Sequence, residues 1–405
     1  MASIFPFAAL RPVPQAAAAV AAVPYDVVST EEARALAADN PLSFLHVSRA
    51  EIDFPPGTDP YSDQIYERAN ENFRDLRARA PLVVEETASF YVYRLHMGDH
   101  VQTGIAATFS IDEYDQGSIK KHEKTRPDKE DDRTRHMLAI GAQTGPVFLT
   151  YAASPEVDAI LAKTTASHPL FDFEAPDHVR HVIWRVPDED NHAIVRAFGE
   201  VPQLYIADGH HRAASAARTR RALAGRGAGE HDRVLAVAFA DREMQILPYH
   251  RVIKDLNGLT PQQFVDALRR AGVTVREDGS STAAQKGQVG MYMQERWYTL
   301  VFPSQNGAGD IGTSLDVSRL QDLVLAPIVG IQDVRTDKRI DFVGGIRGPA
   351  ELQRLVDTGQ FAAAFSMYPV TIGDLMGIAD AGGIMPPKST WFEPKLRDGL
   401  LSHLI

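Results

Sequence analysis

The stretch Ile206-Ala207-Asp208-Gly209-His210-His211-Arg212 places an acid, a glycine, two imidazoles and a guanidinium within five consecutive positions. The apolar run Leu204 to Ala207 reads as a strand entering a core, and the alanine-rich stretch from Ala213 reads as a helix. Gly209 permits the sharp reversal between them. The new helix then turns its free N–H groups and the positive end of its dipole toward whatever lies in front of it. That geometry suits a phosphate, with Arg212 as a bidentate clamp. Asp208, His210 and His211 are the candidate acid and base groups beside it. A capped turn with solvated polar residues is the plainer reading, but a turn needs neither two histidines nor an arginine.

A second cluster, Lys120-Lys121-His122-Glu123-Lys124-Thr125-Arg126, sets one carboxylate among cationic side chains. A buried Glu123 would serve as general base for a hydroxyl, while Lys124, Thr125 and Arg126 hold phosphate oxygens. Neither cluster alone supplies both a base and an anion clamp, so Glu123 is expected within one substrate length of Arg212. A solvated charged loop is the alternative for this segment. The run Asp128 to Arg133 reads as solvated surface. A third stretch, Gly382 to Lys395, contains Pro386-Pro387-Lys388-Ser389-Thr390 and cannot be a regular helix or strand. Lys388, Ser389 and Thr390 are expected to meet an anion, although the rest of a Walker motif is absent. A strap packing Trp391 and Phe392 on the core is the other reading.

The chain has 405 residues, 44% hydrophobic and 23% charged, with a net charge of −11. That balance argues against a broad nucleic-acid footprint. Cysteine is absent, which excludes disulfides, thiol catalysis and thiolate–metal sites. A reducing cytoplasm fits, and no segment reads as a signal peptide or membrane span. Zinc at the adjacent His210 and His211 is disfavoured, because no metal-binding spacing accompanies them. Magnesium is more compatible, through Glu123 or Asp208 and substrate phosphates.

The elements that must position these groups follow from periodicity. Thr30 begins a short helix capped by Ser29 or Thr30 and ended at Asn40-Pro41, and Phe44 to Val47 reads as a strand. Tyr61 to Arg79 is an amphipathic helix with Ile65, Ala69, Phe73 and Leu76 on one face. Ser89–Leu95 and Val101–Ile111 read as paired strands, and Val234–Ala240 as a strand covered on both faces. Strands at 273–275, 290–302 and 362–367, helices at 261–271, 315–329, 351–357 and 372–379, and a loop at 304–313 complete the reading.

The chain resembles the DUF1015 family over nearly its whole length. The resemblance rests on Phe5-Pro6-Phe7, Val23-Pro24-Tyr25-Asp26-Val27-Val28, the segment from Asn40 to Arg49, His122-Glu123-Lys124-Thr125, Asp208 to Arg212, and Met385 to Thr390. The Asp208–Arg212 box with Ala213 and Ala214 is also similar to the phosphate-binding box of ParB-like nucleotide-binding folds, which include sulfiredoxins and free serine kinases. The resemblance implies a mixed α/β (α+β) fold with a ParB/sulfiredoxin-like core at 156–255. Residues 1–155 and 256–405 are then flanking α/β regions. It further implies phosphoryl transfer on serine or O-phosphoserine, with Mg2+ and a nucleotide (ATP or ADP) as companions. The partner is a small phosphorylated molecule, without nucleic acid or membrane, and with a homodimer as the assembly considered. A nucleotide-binding switch without turnover is the rival from another class.

Overall fold

The computed structural model describes residues 2–79, 82–277, 279–304 and 310–405. It is a mixed α/β architecture, and the chain forms two compact units. One is Met1–Met244 joined by Pro394–Ile405, and the other is Gln245–Glu393.

The first unit is built on a nine-stranded mixed sheet. Its strands are β1 (Ile4–Phe5), β2 (Tyr91–Met97), β3 (His100–Ser110), β4 (Ile119–Lys120), β5 (Val147–Tyr151), β6 (Phe171–Glu174), β7 (Arg180–Arg185), β8 (Leu204–Asp208) and β9 (Arg233–Ala240). They lie in the order β4-β8-β5-β9-β3-β2-β7-β6, with β1 also on β3. β8 runs parallel to β4 and antiparallel to β5, whereas β5 and β9 are parallel. The central strands are apolar because both faces are covered: Val234–Ala240 are buried throughout.

Helix α1 (Thr30–Ala37) starts from a Ser29 capping box with Glu32. Helix α3 (Asp63–Arg79) buries Ile65, Ala69, Phe73 and Leu76. Phe44–Val47, read as a strand, lies instead across the helical turn α2 (Leu45–Ser48). Phe44 is buried edge-on to Phe73 of α3, and so short an apolar run suits a buried helical turn as well as a strand. Helix α4 (Pro127–Ile140) absorbs the charged run Asp128–Arg133. That run is not simply solvated, because Asp132 is buried and pairs with Arg133. Helix α5 (His210–Ala222) presents small residues to α4, so Ser215 Oγ reaches the Glu130 carbonyl at 3.1 Å.

The second unit carries a six-stranded antiparallel sheet around Val252, Tyr292, Leu352 and Ala364. The stretch read as one strand at 290–302 is a hairpin, Gln288–Met293 against Arg296–Val301. It turns at Gln294 and Glu295, both at positive φ, without the glycine that usually signals such a turn. The apolar segment after Leu315 is helical only to Leu320. Gln321–Val329 then widens into a π-helix containing Pro327, which has no N–H for the regular ladder. Of the expected loop at 304–313, residues 305–309 lie outside the described residues, and Ile311–Ser314 form one helical turn. No described helix is long and apolar enough to cross a membrane.

Gly104 sits mid-strand in β3, where an added Cβ would stand 2.6 Å from both the Ala238 carbonyl and the Phe239 ring. Gly104→Ala is therefore expected to destabilise the protein by about 1–3 kcal/mol in urea titration. Gly199→Ala is the control. Its Cβ would meet nothing within 4 Å, and stability there should hold or rise by roughly 0.5 kcal/mol.

Candidate functional site

β8 ends at Asp208, and Gly209 turns the chain with φ 89° into α5. Glycine is required here twice over. The left-handed backbone suits it, and a Cβ would stand 2.9 Å from Arg212 Nε, which folds back over the cap. Asp208 Oδ1 accepts from Gly209 N–H at 2.8 Å. The first-turn N–H groups of His210, His211 and Arg212 have no partner within the helix, as at any helix start.

The two histidines bind the second cluster to this cap. His122 N–H donates to His210 Nε2 at 3.4 Å, and Arg126 N–H donates to His211 Nε2 at 3.1 Å. An accepting Nε2 in a neutral ring puts the hydrogen on Nδ1. In His210 that atom lies 3.7 Å from Glu123 Oε2. The His122 and His210 rings meet edge to face at 4.4 Å. Burial holds His122 down to about 4, against the pull of Asp208 and the Ile206 backbone. Burial, with His122 close by, holds His210 well below the ordinary imidazole value. His211 is shifted down as well, by burial first. At neutral pH these rings are uncharged, and His210 and His211 accept through Nε2. Glu123 itself is not buried: its side chain keeps 58% of its exposure.

Arg212 is buried, and its guanidinium is shared. Nη1 donates to the Pro146 carbonyl at 2.5 Å, and Nη2 stands 3.6 Å from Asp208 and 3.7 Å from Asp26. Asp398 is the third carboxylate. It packs where a Cβ on Gly145 would touch its Oδ1 at 2.8 Å and Arg212 Cδ at 3.4 Å. Burial works against the charge of Arg212, but Asp26, Asp208 and Asp398 outweigh it and raise its pKa. Burial also opposes the ionised form of Asp208, yet Lys395 and Arg212 hold it below the usual carboxylate range. Lys395 Nζ lies 3.1 Å from Asp208 Oδ2. Asp398 is pushed up to about 7 by burial, against Arg212. Among the described residues, Arg212 Nε and His122 Nδ1 are buried without a hydrogen-bond partner.

Sequence reasoning did not choose Asp26, Lys395 or Asp398. Asp26 was visible in Val23–Val28 and Lys395 at the end of the proline-rich stretch, but nothing in the spacing tied either to Asp208. Asp398 gave no signal at all. Arg133, taken as surface, lies over the Tyr25 ring at 4.2 Å, and its partner Asp132 accepts from Tyr66 Oη at 2.9 Å.

The remaining candidates are placed differently. Lys124 is exposed, and Thr125 Oγ1 donates to Glu130. Lys388, Ser389 and Thr390 belong to the second unit. There Lys388 sits at φ 56° with its ammonium 5.3 Å from the Tyr249 ring centroid. Ser389 Oγ donates to the Pro386 carbonyl at 2.6 Å, and Arg251 donates to the Lys388 carbonyl at 3.0 Å. The donor chemistry around Asp208 does not fit Mg2+. One carboxylate oxygen is on Gly209 N–H and the other on an ammonium that would repel the cation. No group of three or more metal-ligating side chains occurs among the described residues. A separate depression is lined by His46, Asp53, Arg68 and Asn72, with His46 Nδ1 on Asp53 at 2.6 Å.

The sequence profile of DUF1015, a protein of unknown function, matches residues 4–318; the chain belongs to that family. No curated protein matches it in sequence. Among solved structures it is similar to a conserved hypothetical protein from Pyrococcus furiosus, at TM-score 0.35 and 15% identity over 74% of this chain and 95% of that one. A free serine kinase in complex with AMP is similar at TM-score 0.35 and 16% identity, over 73% and 92%. SbnI from Staphylococcus aureus, truncated at its C-terminus, is similar at TM-score 0.38 and 12% identity, over 72% and 85%. Likeness this slight says nothing about chemistry.

The neutral histidines set a pH dependence. An unfolded imidazole takes up a proton near pH 6.5, whereas His122 and His136, both lowered to about 4 by burial, resist it in the folded state. The unfolded state then binds more protons, so stability falls as pH drops from about 6.5 toward 4, by about 1.4 kcal/mol per pH unit for each such group. His210 and His211 add in the same direction. Asp398, Asp316 and His46 act oppositely, because their raised values favour the folded state at low pH, but the lowered histidines, with His96, His181 and His250 among them, outnumber them. Urea midpoints measured from pH 7 to 4.5 should fall steadily, and His122→Gln should flatten the slope. A flat wild-type profile would show these rings to be charged and solvated.

Proposed function

We propose that the chain is a phosphoryl-transfer enzyme acting on a small metabolite, serine or O-phosphoserine, with a nucleotide or water as the other party. What carries the reading is one juxtaposition. The 120–126 segment is hydrogen-bonded to the start of α5, so an outward carboxylate, Glu123, stands beside a helix cap that holds Arg212 and Lys395. Phosphoryl transfer is mostly positioning and charge neutralisation. The first-turn N–H groups, Arg212 and Lys124 hold phosphate oxygens at the cap. Glu123 accepts the hydroxyl proton as the new O–P bond forms and the donor's P–O bond breaks. Asp208 is too firmly paired to serve as that base. His210 and His211 orient the two clusters rather than supply a proton, since each ring is neutral and accepts a backbone N–H. The choice of serine follows the similarity of the Asp208–Ala214 box to ParB-like folds. No step is routed through a metal.

Serine with ATP or ADP and O-phosphoserine alone or with AMP or ADP, screened for phosphate release and nucleotide conversion, test this directly. Turnover of serine or its phosphate ester supports the reading. Nucleotide binding without conversion would favour a switch instead. In the active assay, Glu123→Gln is expected to keep the fold, because the side chain is largely exposed, and to lower turnover about a hundredfold. Equal turnover in that variant returns Glu123 to the surface.

A further inference from the structure

The C-terminal residues Pro394–Ile405 return to the first unit after the second has been completed, and they lie beyond the stretch matched by the family profile. They are held at several points. Asp398 and Ala22 exchange backbone hydrogen bonds at 2.9 and 3.2 Å, Leu10 and Ser402 exchange another pair at 2.9 Å, and His403–Leu404 pair with Ala142–Gln143. Arg397 Nε reaches His181 at 3.1 Å and its Nη2 reaches Asp177. So fixed a segment places its side chains definitely. It sets Lys395 Nζ 3.1 Å from Asp208 Oδ2, one residue before the glycine that opens α5.

Arg212 cannot be the whole of an anion clamp, because its guanidinium already serves Pro146, Asp208 and Asp26. Asp208 retains the Gly209 N–H and Arg212 if Lys395 turns away. The Lys395 side chain is 15% exposed and that of its partner Asp208 29%, unlike Arg212 at 5%, so this pair is not sealed from solvent. We propose that Lys395, delivered by the C-terminal segment, is a direct ligand of the substrate's phosphate, resting on Asp208 when the site is free and shifting to the phosphate when it binds. This rests on the reading of the α5 start as a phosphate site. It names a residue that reading did not contain, and it makes the last twelve residues part of the site.

The test is calorimetric binding of O-phosphoserine and of inorganic phosphate, with serine for comparison, to the full chain. Lys395→Met should weaken both phosphate probes by about 10- to 100-fold, as expected for one charge-assisted hydrogen bond. It should leave serine affinity unchanged and reduce the salt dependence of phosphate binding. Lys395→Arg should restore part of the affinity. If Lys395 serves only to neutralise buried Asp208, the Lys395→Met/Asp208→Asn double variant regains wild-type phosphate affinity, and the inference is overturned. That double variant also covers the case in which Lys395→Met alone fails to fold, since it leaves no unpaired carboxylate. Phosphate binding by wild type and Lys395→Met alike overturns the inference while keeping the site. Absence of phosphate binding in wild type overturns the site itself.

Discussion

One buried guanidinium organises the first unit. Arg212 faces Asp26 from an N-terminal turn, Asp208 from the end of β8 and Asp398 from the C-terminal segment. These residues are remote in sequence, and a buried charge is tolerable only when it is paired. The three segments must therefore arrive together for any one of them to be stable where it lies. Removing the arginine would leave carboxylates crowded in a low-dielectric site, which costs more than the lost contacts themselves. The arrangement also explains why Gly145 and Gly209 are glycines. Each stands where a Cβ would strike Asp398 or Arg212.

The charge count in this cluster constrains its chemistry. Arg212 and Lys395 face Asp26, Asp208 and Asp398, so full ionisation would leave the cluster net negative. Burial resolves this at Asp398, which rises to about 7 against the pull of Arg212, Arg133 and Arg397, while Asp208 stays ionised. A protonated Asp398 brings the cluster close to neutrality. The neutral histidines serve the same end from the other side. A charged His210 would repel Arg212 and lose the His122 N–H, one of the two hydrogen bonds that hold the 120–126 segment to the cap.

Much of the fold was legible because its signals are local. The strand Leu204–Asp208, the alanine-rich α5, the hairpin of β2 and β3 and the amphipathic α3 all follow from periodicity and capping. The misreadings share a cause. Phe44–Val47, Gln294–Glu295 and Gln321–Val329 adopt conformations that tertiary packing or a lone proline selects, and short windows do not carry that information. The same limit governed the site. The Asp208–Arg212 and His122–Thr125 boxes announced themselves by composition, but the hydrogen bonds joining them are backbone N–H to imidazole, which no residue type advertises. Asp26 lies in Val23–Val28 and Lys395 ends the proline-rich stretch, but neither spacing nor composition ties them or Asp398 to Arg212, and only the closed fold gathers them into one cluster.

The position of Lys395 and Asp398 within the last turns of the chain changes what the family resemblance can mean. The profile match ends at residue 318, so it covers the strand, the cap, the 120–126 segment and Asp26 but not Lys395 or Asp398. A chain sharing only the matched region would keep Asp208 and Arg212 and lack the ammonium that holds Asp208 ionised. In such a chain Asp208 would titrate higher, with Arg212 left as its cation. Here it is a fixed counter-ion. The ionisation of Asp208 is thus set in part by a segment far from it in sequence, because Lys395 stands 3.1 Å from its Oδ2.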